Sequence, residues 1–138
     1  AAGTLFAPMA ETLSVAPGVN PDEAYWLEVK LVGQYCYTQG VPGPNRSYAS
    51  ELLSISARDI PKLARDPRIN HAGLLLILFT ADRQTADHDL AVFMHRCLDK
   101  GLPVSSPSLA RFDIPEIIGN RLCTVSLTPL SLRTTPSD

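Results

Sequence analysis

The stretch that decides the fold is residues 24–37, AYWLEVKLVGQYCY, which has the side-chain alternation of a β-strand. β-Branched and aromatic residues dominate it, and successive side chains of a strand point to opposite faces. One predicted face is wholly apolar, so we expect it to lie in the core, whereas the other face carries two charges. The apolar face comprises Tyr25, Leu27, Val29 and Leu31, and the charged face comprises Trp26, Glu28, Lys30 and Val32.

A second short strand is predicted directly before this one. Residues 11–17 read ETLSVAP, and residues 18–23 between the two strands are dense in turn formers. Two strands about a six-residue turn favour an antiparallel hairpin. If the turn is centred near residues 20 and 21, Glu11 faces Lys30 at about 5 Å, and Glu11, Glu28 and Lys30 share one face.

The remaining elements alternate between helix and strand. Pro61 lies inside the first helix and predicts a kink or a break there. The apolar run AGLLLILFT is typical of a central strand covered on both faces. The predicted elements are a loop at 38–47, a helix at 47–65, a strand at 72–80, a helix at 87–100, a strand at 122–130 and a loose tail at 131–138. This order predicts one α/β domain over residues 1–138, with a mixed central sheet, a β-hairpin and flanking helices.

Composition narrows the class of protein. The chain has 138 residues, 45% hydrophobic and 19% charged, which is the balance of a globular domain rather than of a disordered one. Its net charge of −2 lacks the strong basicity of many nucleic-acid binders, and its longest apolar run, residues 72–79, is far too short to span a membrane. Three widely spaced cysteines indicate neither a disulfide framework nor a zinc site, so we expect a cytoplasmic protein with no membrane partner.

The sequence Glu28-Val29-Lys30 places two charges in the middle of a strand whose neighbours on that face, Trp26 and Val32, are apolar. A partly covered charge pair is costly unless it is paired or holds a ligand. From the triplet alone, an exposed ion pair on a half-solvated sheet explains it equally well. Glu11 beside Glu28 would favour a hard divalent cation such as Mg²⁺ (or Mn²⁺), with carbonyls and water completing its shell.

Residues 11–80 combine an acid that opens one strand, a hairpin, Glu-x-Lys in the next strand, and then a helix and a strand. This pattern resembles the PD-(D/E)XK nuclease superfamily. The resemblance implies a restriction-endonuclease-like core in which Glu28 is the second acidic metal ligand and Lys30 the catalytic lysine. It also implies a ligand role for the main-chain carbonyl of Val29 and matches Gln34 to a glutamine that some branches carry.

The first acid departs from the family pattern. A literal Pro21-Asp22 falls in the turn, about 20 Å along the chain from Glu28, so strand register favours Glu11 instead. The first helix of the family would precede Glu11, and ten residues are too few to form it comfortably. Either that helix is missing from this chain, which begins at Ala1, or the assignment of these residues to the family pattern is wrong.

The resemblance implies metal-dependent hydrolysis of a nucleic-acid backbone, with DNA favoured over RNA, and a homodimer is compatible with cutting two strands. An alternative is a catalytically inactive nuclease-like domain that binds protein or nucleic acid. A third reading is an unrelated α/β domain in which the β-α-β run from Leu74 to Leu127 binds a small ligand at its strand ends. A pocket at the carboxyl end of that sheet, with Glu28 and Lys30 exposed elsewhere, would be evidence for it.

Two weaker features accompany the motif. Glu51, near the start of the first helix, is either a further acid for the site or a complement to the helix dipole. Basic residues around the same helix would grip a phosphate backbone or form a solvated face. They are Arg46, Arg58, Lys62, Arg65 and Arg68, interrupted by Asp59 and Asp66.

Overall fold

The structure, a computed structural model, describes Gly18 and residues 20–132 and contains one four-stranded sheet and one two-stranded sheet. The elements are β1 Tyr25–Gly33, β2 Tyr35–Thr38, β3 Val41–Pro44, α1 Tyr48–Ser54, a π-helical turn Ile55–Asp59, α2 Ile60–Arg65, β4 His71–Thr80, α3 Arg83–Asp99, β5 Ser108–Ile117 and β6 Asn120–Leu130. In the larger sheet the strands lie in the order β1-β4-β6-β5. A helical segment of three parts links β3 to β4, and a longer helix links β4 to β5.

The larger sheet is mixed. β1 pairs in parallel with β4, whereas β4 with β6 and β6 with β5 are antiparallel. Parallel neighbours need a crossover, and the helical segment at Tyr48–Arg65 supplies it. The predicted α/β class with a mixed sheet and flanking helices is therefore confirmed at this coarse level.

The predicted break near Pro61 is present. A π-helical turn, Ile55–Asp59, separates α1 from α2, and Pro61 is the second residue of α2. Proline has no backbone N–H, so the carbonyl four residues before it loses its usual helical partner. The wider π turn accommodates this loss, and it sets Asp59 at the junction of the two helices.

The core lies between the helices and one side of the sheet. Leu74, Leu76 and Leu78 of β4 are almost fully buried and pack with the buried faces of the helices. Their helical partners in the core are Leu52, Ile55, Ile60, Ala86, Phe93 and Cys97. The strand at 72–80 is thus central, but the prediction that both its faces are covered is wrong, because Leu75 and Ile77 remain partly exposed.

The prediction that the wholly apolar face of β1 lies in the core is also wrong. Leu27, Val29 and Leu31 are 46%, 52% and 66% exposed, whereas Val32 on the other face is buried. Alternation shows that a strand has two faces, but the positions of the helices decide which one is covered. Both helices pack on the side of Glu28 and Lys30, so the other face of the sheet has no cover among the described residues.

Three elements differ from the expected ones. Residues 35–44 form a hairpin, β2–β3, instead of a loop continuing from a longer strand, and β5 was not predicted. This hairpin and the β5–β6 hairpin each turn through two residues with positive φ, which are Gln39-Gly40 in the first and Ile118-Gly119 in the second. α3 begins four residues before the predicted start, because the Asp82 carboxylate accepts the amide of Thr85 at 2.7 Å and caps the helix.

Glu11, the strand at 11–17 and the hairpin built on it lie outside the described residues. Among the described strands, the partner of β1 is β4. At the other terminus, the amide of Ser131 donates to the carbonyl of Pro103 at 2.7 Å, and residues 133–138 again lie outside the description. Within the described part of the chain, no helix is both long enough and apolar enough to cross a membrane.

Candidate functional site

The side of β1 that faces the helices brings Glu28 and Lys30 together. Both side chains are half-buried, and they lie two residues apart on one face, about 6.6 Å along the strand. Trp26 packs against the core at one end of this row, and Val32 is buried at the other. The predicted charged face therefore exists, and it lies at the boundary between the core and solvent.

Lys30 has an ionic partner that sequence reasoning missed. Its Nζ lies 3.2 Å from Oδ2 of Asp59, and the two side chains are 37% and 18% exposed. Asp59 is the last residue of the π-helical turn, so the irregularity imposed near Pro61 holds this carboxylate over β1. The sequence contained one signal for this residue, because Asp59 lies two residues before a proline inside a predicted helix. Such a proline indicates an irregular turn, and π turns are frequent at functional sites.

Glu28 is the less constrained member of the group. No hydrogen bond or ion pair to its carboxylate is found within Gly18 and residues 20–132. A half-buried carboxylate that is not neutralised by a neighbour is available to bind a cation or a donor group. Glu28, Lys30 and Asp59 together form what we call the EKD group: two carboxylates and one ammonium.

The structure places Gln34 and Glu51 at the carboxyl end of β1 instead of beside Glu28. The side-chain oxygen of Gln34 accepts the amide of Ala81 at 2.8 Å, just after the end of β4. Glu51 accepts from the side-chain amide of Asn45 at 3.2 Å, and the same nitrogen donates to the carbonyl of Gly33. Both therefore brace the end of β1, and the catalytic role of Gln34 stays a prediction.

The other predicted site residues have separate locations. The side chain of Val29 points to the face opposite Glu28 and Lys30. Glu11 lies outside the described residues. Asp22 lies in the turn before β1, as expected, and its amide donates to Oδ1 of Asn20 at 3.1 Å.

Metal binding by the described residues alone has a limited donor set. Among Gly18 and residues 20–132, no three His, Cys, Asp or Glu side chains form a group that could hold a metal ion. Glu28 supplies one uncommitted carboxylate, whereas that of Asp59 is paired with Lys30, and Mg²⁺ is often held by one or two carboxylates together with water and substrate phosphate. The donor chemistry therefore fits a magnesium ion that completes its shell from outside this group.

A basic row runs along the helical segment beside the EKD group. Arg58, Lys62 and Arg65 are exposed, and their spacing of four and three residues puts them on one helix face. Arg58 directly precedes Asp59 in the sequence. Arg68 instead pairs with Asp66 at 2.8 Å. The exposed row thus presents three cations to solvent on the helical segment that carries Asp59.

Two cavities lie away from the EKD group. One of about 110 Å³ lies between α1 and α3, where the hydroxyl of Tyr48 donates to Asp89 at 2.6 Å. Burial and then this hydrogen bond raise the pKa of Tyr48, so its phenol stays protonated and is unsuited to act as a base. The second, of about 260 Å³, lies at the carboxyl end of β4.

The cavity at the carboxyl end of β4 is polar. Arg83, Arg111 and Arg121 line it together with Asp82 and Asp113. Asp87 also binds two of these arginines, since Nη2 of Arg111 lies 2.6 Å from its carboxylate and Nε of Arg83 lies 3.5 Å from it. The positive charges are therefore offset locally. This cavity is the pocket that the small-ligand reading expects at the carboxyl end of the sheet, but Glu28 and Lys30 are half-buried, whereas that reading expects them to be exposed.

Comparisons with known proteins do not assign this chain to a family. No protein-family model, no curated protein and no solved structure matches it. A function for this chain therefore has to be inferred from its own features, which are the EKD group, the basic row and the sheet order.

Proposed function

We propose that this protein is a magnesium-dependent phosphodiesterase that cuts a nucleic-acid backbone at the EKD group, in the manner of a PD-(D/E)XK nuclease. The observation that carries the proposal is that Glu28 and Lys30 share the half-buried, helix-facing side of β1, with Asp59 in contact with Lys30. A strand, a helical crossover and a parallel strand follow one another around this pair, as the resemblance implies. On this proposal the core is restriction-endonuclease-like.

In this proposal the carboxylates bind the metal. Glu28 is the principal ligand, with Glu11, the main-chain carbonyl of Val29 and water as further donors. A bound Mg²⁺ polarises a phosphoryl oxygen and lowers the pKa of water, whereas the protein supplies position and charge. Lys30 holds the attacking water or the scissile phosphate through its ammonium, and Gln34 supports the end of the strand that carries Lys30 through its contact with Ala81.

Asp59 acts on Lys30 as a positioning residue. An ammonium on a flexible four-carbon stem has many rotamers, and an ion pair at 3.2 Å restricts them. The pair is partly exposed, so a substrate phosphate can compete with Asp59 for the ammonium. Asp59 thereby holds Lys30 in one restricted arrangement before the substrate binds.

The basic row supports a nucleic-acid substrate. Arg58, Lys62 and Arg65 stand one or two helical turns apart, so they can contact successive phosphates along a backbone. Such contacts are ionic and independent of sequence. The proposal therefore expects binding that weakens steeply with salt.

One specific observation favours a second candidate, a nuclease-like domain that binds protein or nucleic acid without cutting it. Lys30 is already neutralised by Asp59, and no group of three metal ligands forms among the described residues. In that case the EKD group is a structural ion pair with a neighbouring carboxylate. The two candidates differ in whether cleavage accompanies binding.

The experiment is a cleavage assay with matched variants. Purified protein is incubated with supercoiled plasmid, linear duplex DNA, single-stranded DNA and RNA in Mg²⁺, Mn²⁺ or EDTA. We expect cleavage in either metal, none in EDTA, and at least about 100-fold loss in Glu28→Gln and Lys30→Ala. Glu116→Gln and Lys100→Ala are matched controls, because these exposed residues lie on β5 and after α3. Salt-dependent binding without cleavage by folded protein would establish the second candidate instead.

A further inference from the structure

The larger sheet has one face that the described residues leave uncovered. We call it the open face and define it as the side that carries Leu27 on β1, Leu75 on β4, Val125 on β6 and Phe112 on β5. These positions are linked by the strand registers, because Leu75 pairs with Val29 and with Leu127, and Phe112 pairs with Cys123. The open face is therefore one continuous surface across all four strands.

The open face is apolar throughout its centre. Its positions between residues 73 and 79 of β4 and between 123 and 129 of β6 contain no Asp, Glu, Lys or Arg. On β1 they are Tyr25, Leu27, Val29 and Leu31, and the Tyr25 side chain lies over Gly73, where a Cβ would clash with it. Ionisable residues flank the centre, with His71 at the start of β4 and Arg121 at the start of β6.

The size of the open face can be set by strand geometry. Four strands at about 4.8 Å spacing and about nine residues at 3.3 Å give a projected area of roughly 570 Å². This value does not include the additional accessible surface of protruding side chains. Monomeric proteins rarely expose one apolar patch of this size without a function for it. A standard protein interface buries about 800 Å² per partner, which is comparable once side-chain relief is included.

We propose that the open face is a homodimer interface, in which two copies of this chain stack their sheets face to face. A second copy matches the open face in area and presents the same uncharged centre, so no like charges meet when the two faces are related by a two-fold axis. Apolar sheet faces pack in this way at about 10 Å, as in a β-sandwich.

The proposed dimer is independent of the proposed function. Glu28 and Lys30 lie on the opposite side of the sheet from Leu27 and Val29, so stacking leaves both copies of the EKD group facing outward. A failure of the cleavage assay therefore leaves the dimer intact, and a monomeric protein leaves the EKD group unaffected.

The first test measures mass. Sedimentation velocity of the full chain from 1 to 100 μM is expected to give a particle of twice 15.0 kDa. The double variant Leu27→Lys/Leu31→Lys is expected to weaken the dimer at least about 100-fold, because it buries four lysines in the two-fold interface. Val92→Lys/Leu98→Lys on α3 is the matched control, since those side chains are similarly exposed, at 41% and 58%, but lie on the helix side.

A second measurement needs no variant. Cys123 lies on the open face and Cys36 on β2, and both thiols are partly exposed in the single chain. Dimerisation predicts that alkylation of Cys123 is slower at 100 μM than after dilution to a concentration at which the dimer dissociates, whereas alkylation of Cys36 is equally fast in both. A monomer at 100 μM, equal effects of the two double variants, or a Cys123 rate that is independent of concentration would overturn the proposal.

Discussion

The ammonium of Lys30 lies 3.2 Å from a carboxylate oxygen of Asp59, joining the middle of β1 to the end of the π-helical turn. The pair links residues 29 positions apart, and it exists because Pro61 disturbs the helix just after Asp59. The two candidate functions assign this ion pair different roles. A positioning contact matters for cleavage more than for stability, whereas a structural ion pair matters for stability alone.

The first prediction concerns Asp59→Asn. Because Lys30 is 37% exposed, the pair contributes about 1 kcal/mol or less to the free energy of unfolding. We expect urea denaturation to change by no more than that, while the cleavage rate falls at least about 10-fold. Asp99→Asn, which alters an exposed contact with His95, is the control for both measurements. A loss of more than about 3 kcal/mol with unchanged cleavage would assign the pair a purely structural role.

The second prediction concerns the core beneath the helices. Leu76 is almost fully buried in β4, so Leu76→Ala is expected to cost about 2–5 kcal/mol in the free energy of unfolding, measured by urea denaturation. Leu53→Ala on α1 is the control, because that side chain is 42% exposed and leaves no cavity. Equal costs for the two variants would show that the helices do not cover this side of the sheet.

The third prediction concerns the turn between β5 and β6. Gly119 has a φ of +120°, and a Cβ there would lie 2.8 Å from the ring of Tyr35. Gly119→Ala is therefore expected to lower the thermal midpoint by several degrees. Gly40→Ala is the matched control, since Gly40 also has a positive φ but open space around its Cα. The contact with Tyr35 would be refuted if Gly40→Ala were the more harmful of the two.

The fourth prediction concerns acid stability. A hydrogen bond from Arg111 is the main cause that lowers the pKa of Asp87; burial opposes it, and Coulomb attraction first to Arg111 and then to Arg83 adds to the lowering. A carboxyl whose pKa is lower in the folded state stabilises the fold above its unfolded pKa of about 3.9. That contribution is lost as the pH falls through the lower folded value.

The measurement is the thermal midpoint of wild type and Asp87→Asn between pH 2 and pH 7. Wild type should be the more stable of the two above about pH 4, and the two should converge toward pH 2. A difference that persists unchanged at pH 2 would mean that the charge of Asp87 does not contribute.

The alternation of β1 and the apolar run of β4 could be predicted from the sequence, because each depends on local pattern. Which face of β1 is covered could not be, because the helices at Tyr48–Arg65 and Arg83–Asp99 decide it from a distance. An apolar row such as Leu27, Val29 and Leu31 indicates a surface that must be covered by something. It does not say whether the cover belongs to the same chain.

β5 escaped prediction for local reasons. Pro115 interrupts its pattern and coincides with a shift of register between Asp113 and Ile117, and the turn that follows holds the β-branched Ile118 at a φ of +53°. In the candidate site, Glu28 and Lys30 were found because two positions along a strand are always neighbours on one face. Asp59 was not, because its contact with Lys30 depends on a π-helical turn.

The central claim, that Glu28 takes part in phosphodiester cleavage, is tested most directly by one comparison. Wild type, Glu28→Gln and Glu116→Gln are purified identically, and cleavage of plasmid DNA is followed in Mg²⁺ and in EDTA. The account predicts Mg²⁺-dependent cleavage by wild type and by Glu116→Gln, and at least about 100-fold less by folded Glu28→Gln. Cleavage that Glu28→Gln retains in full, or its absence from folded wild type, would contradict the account.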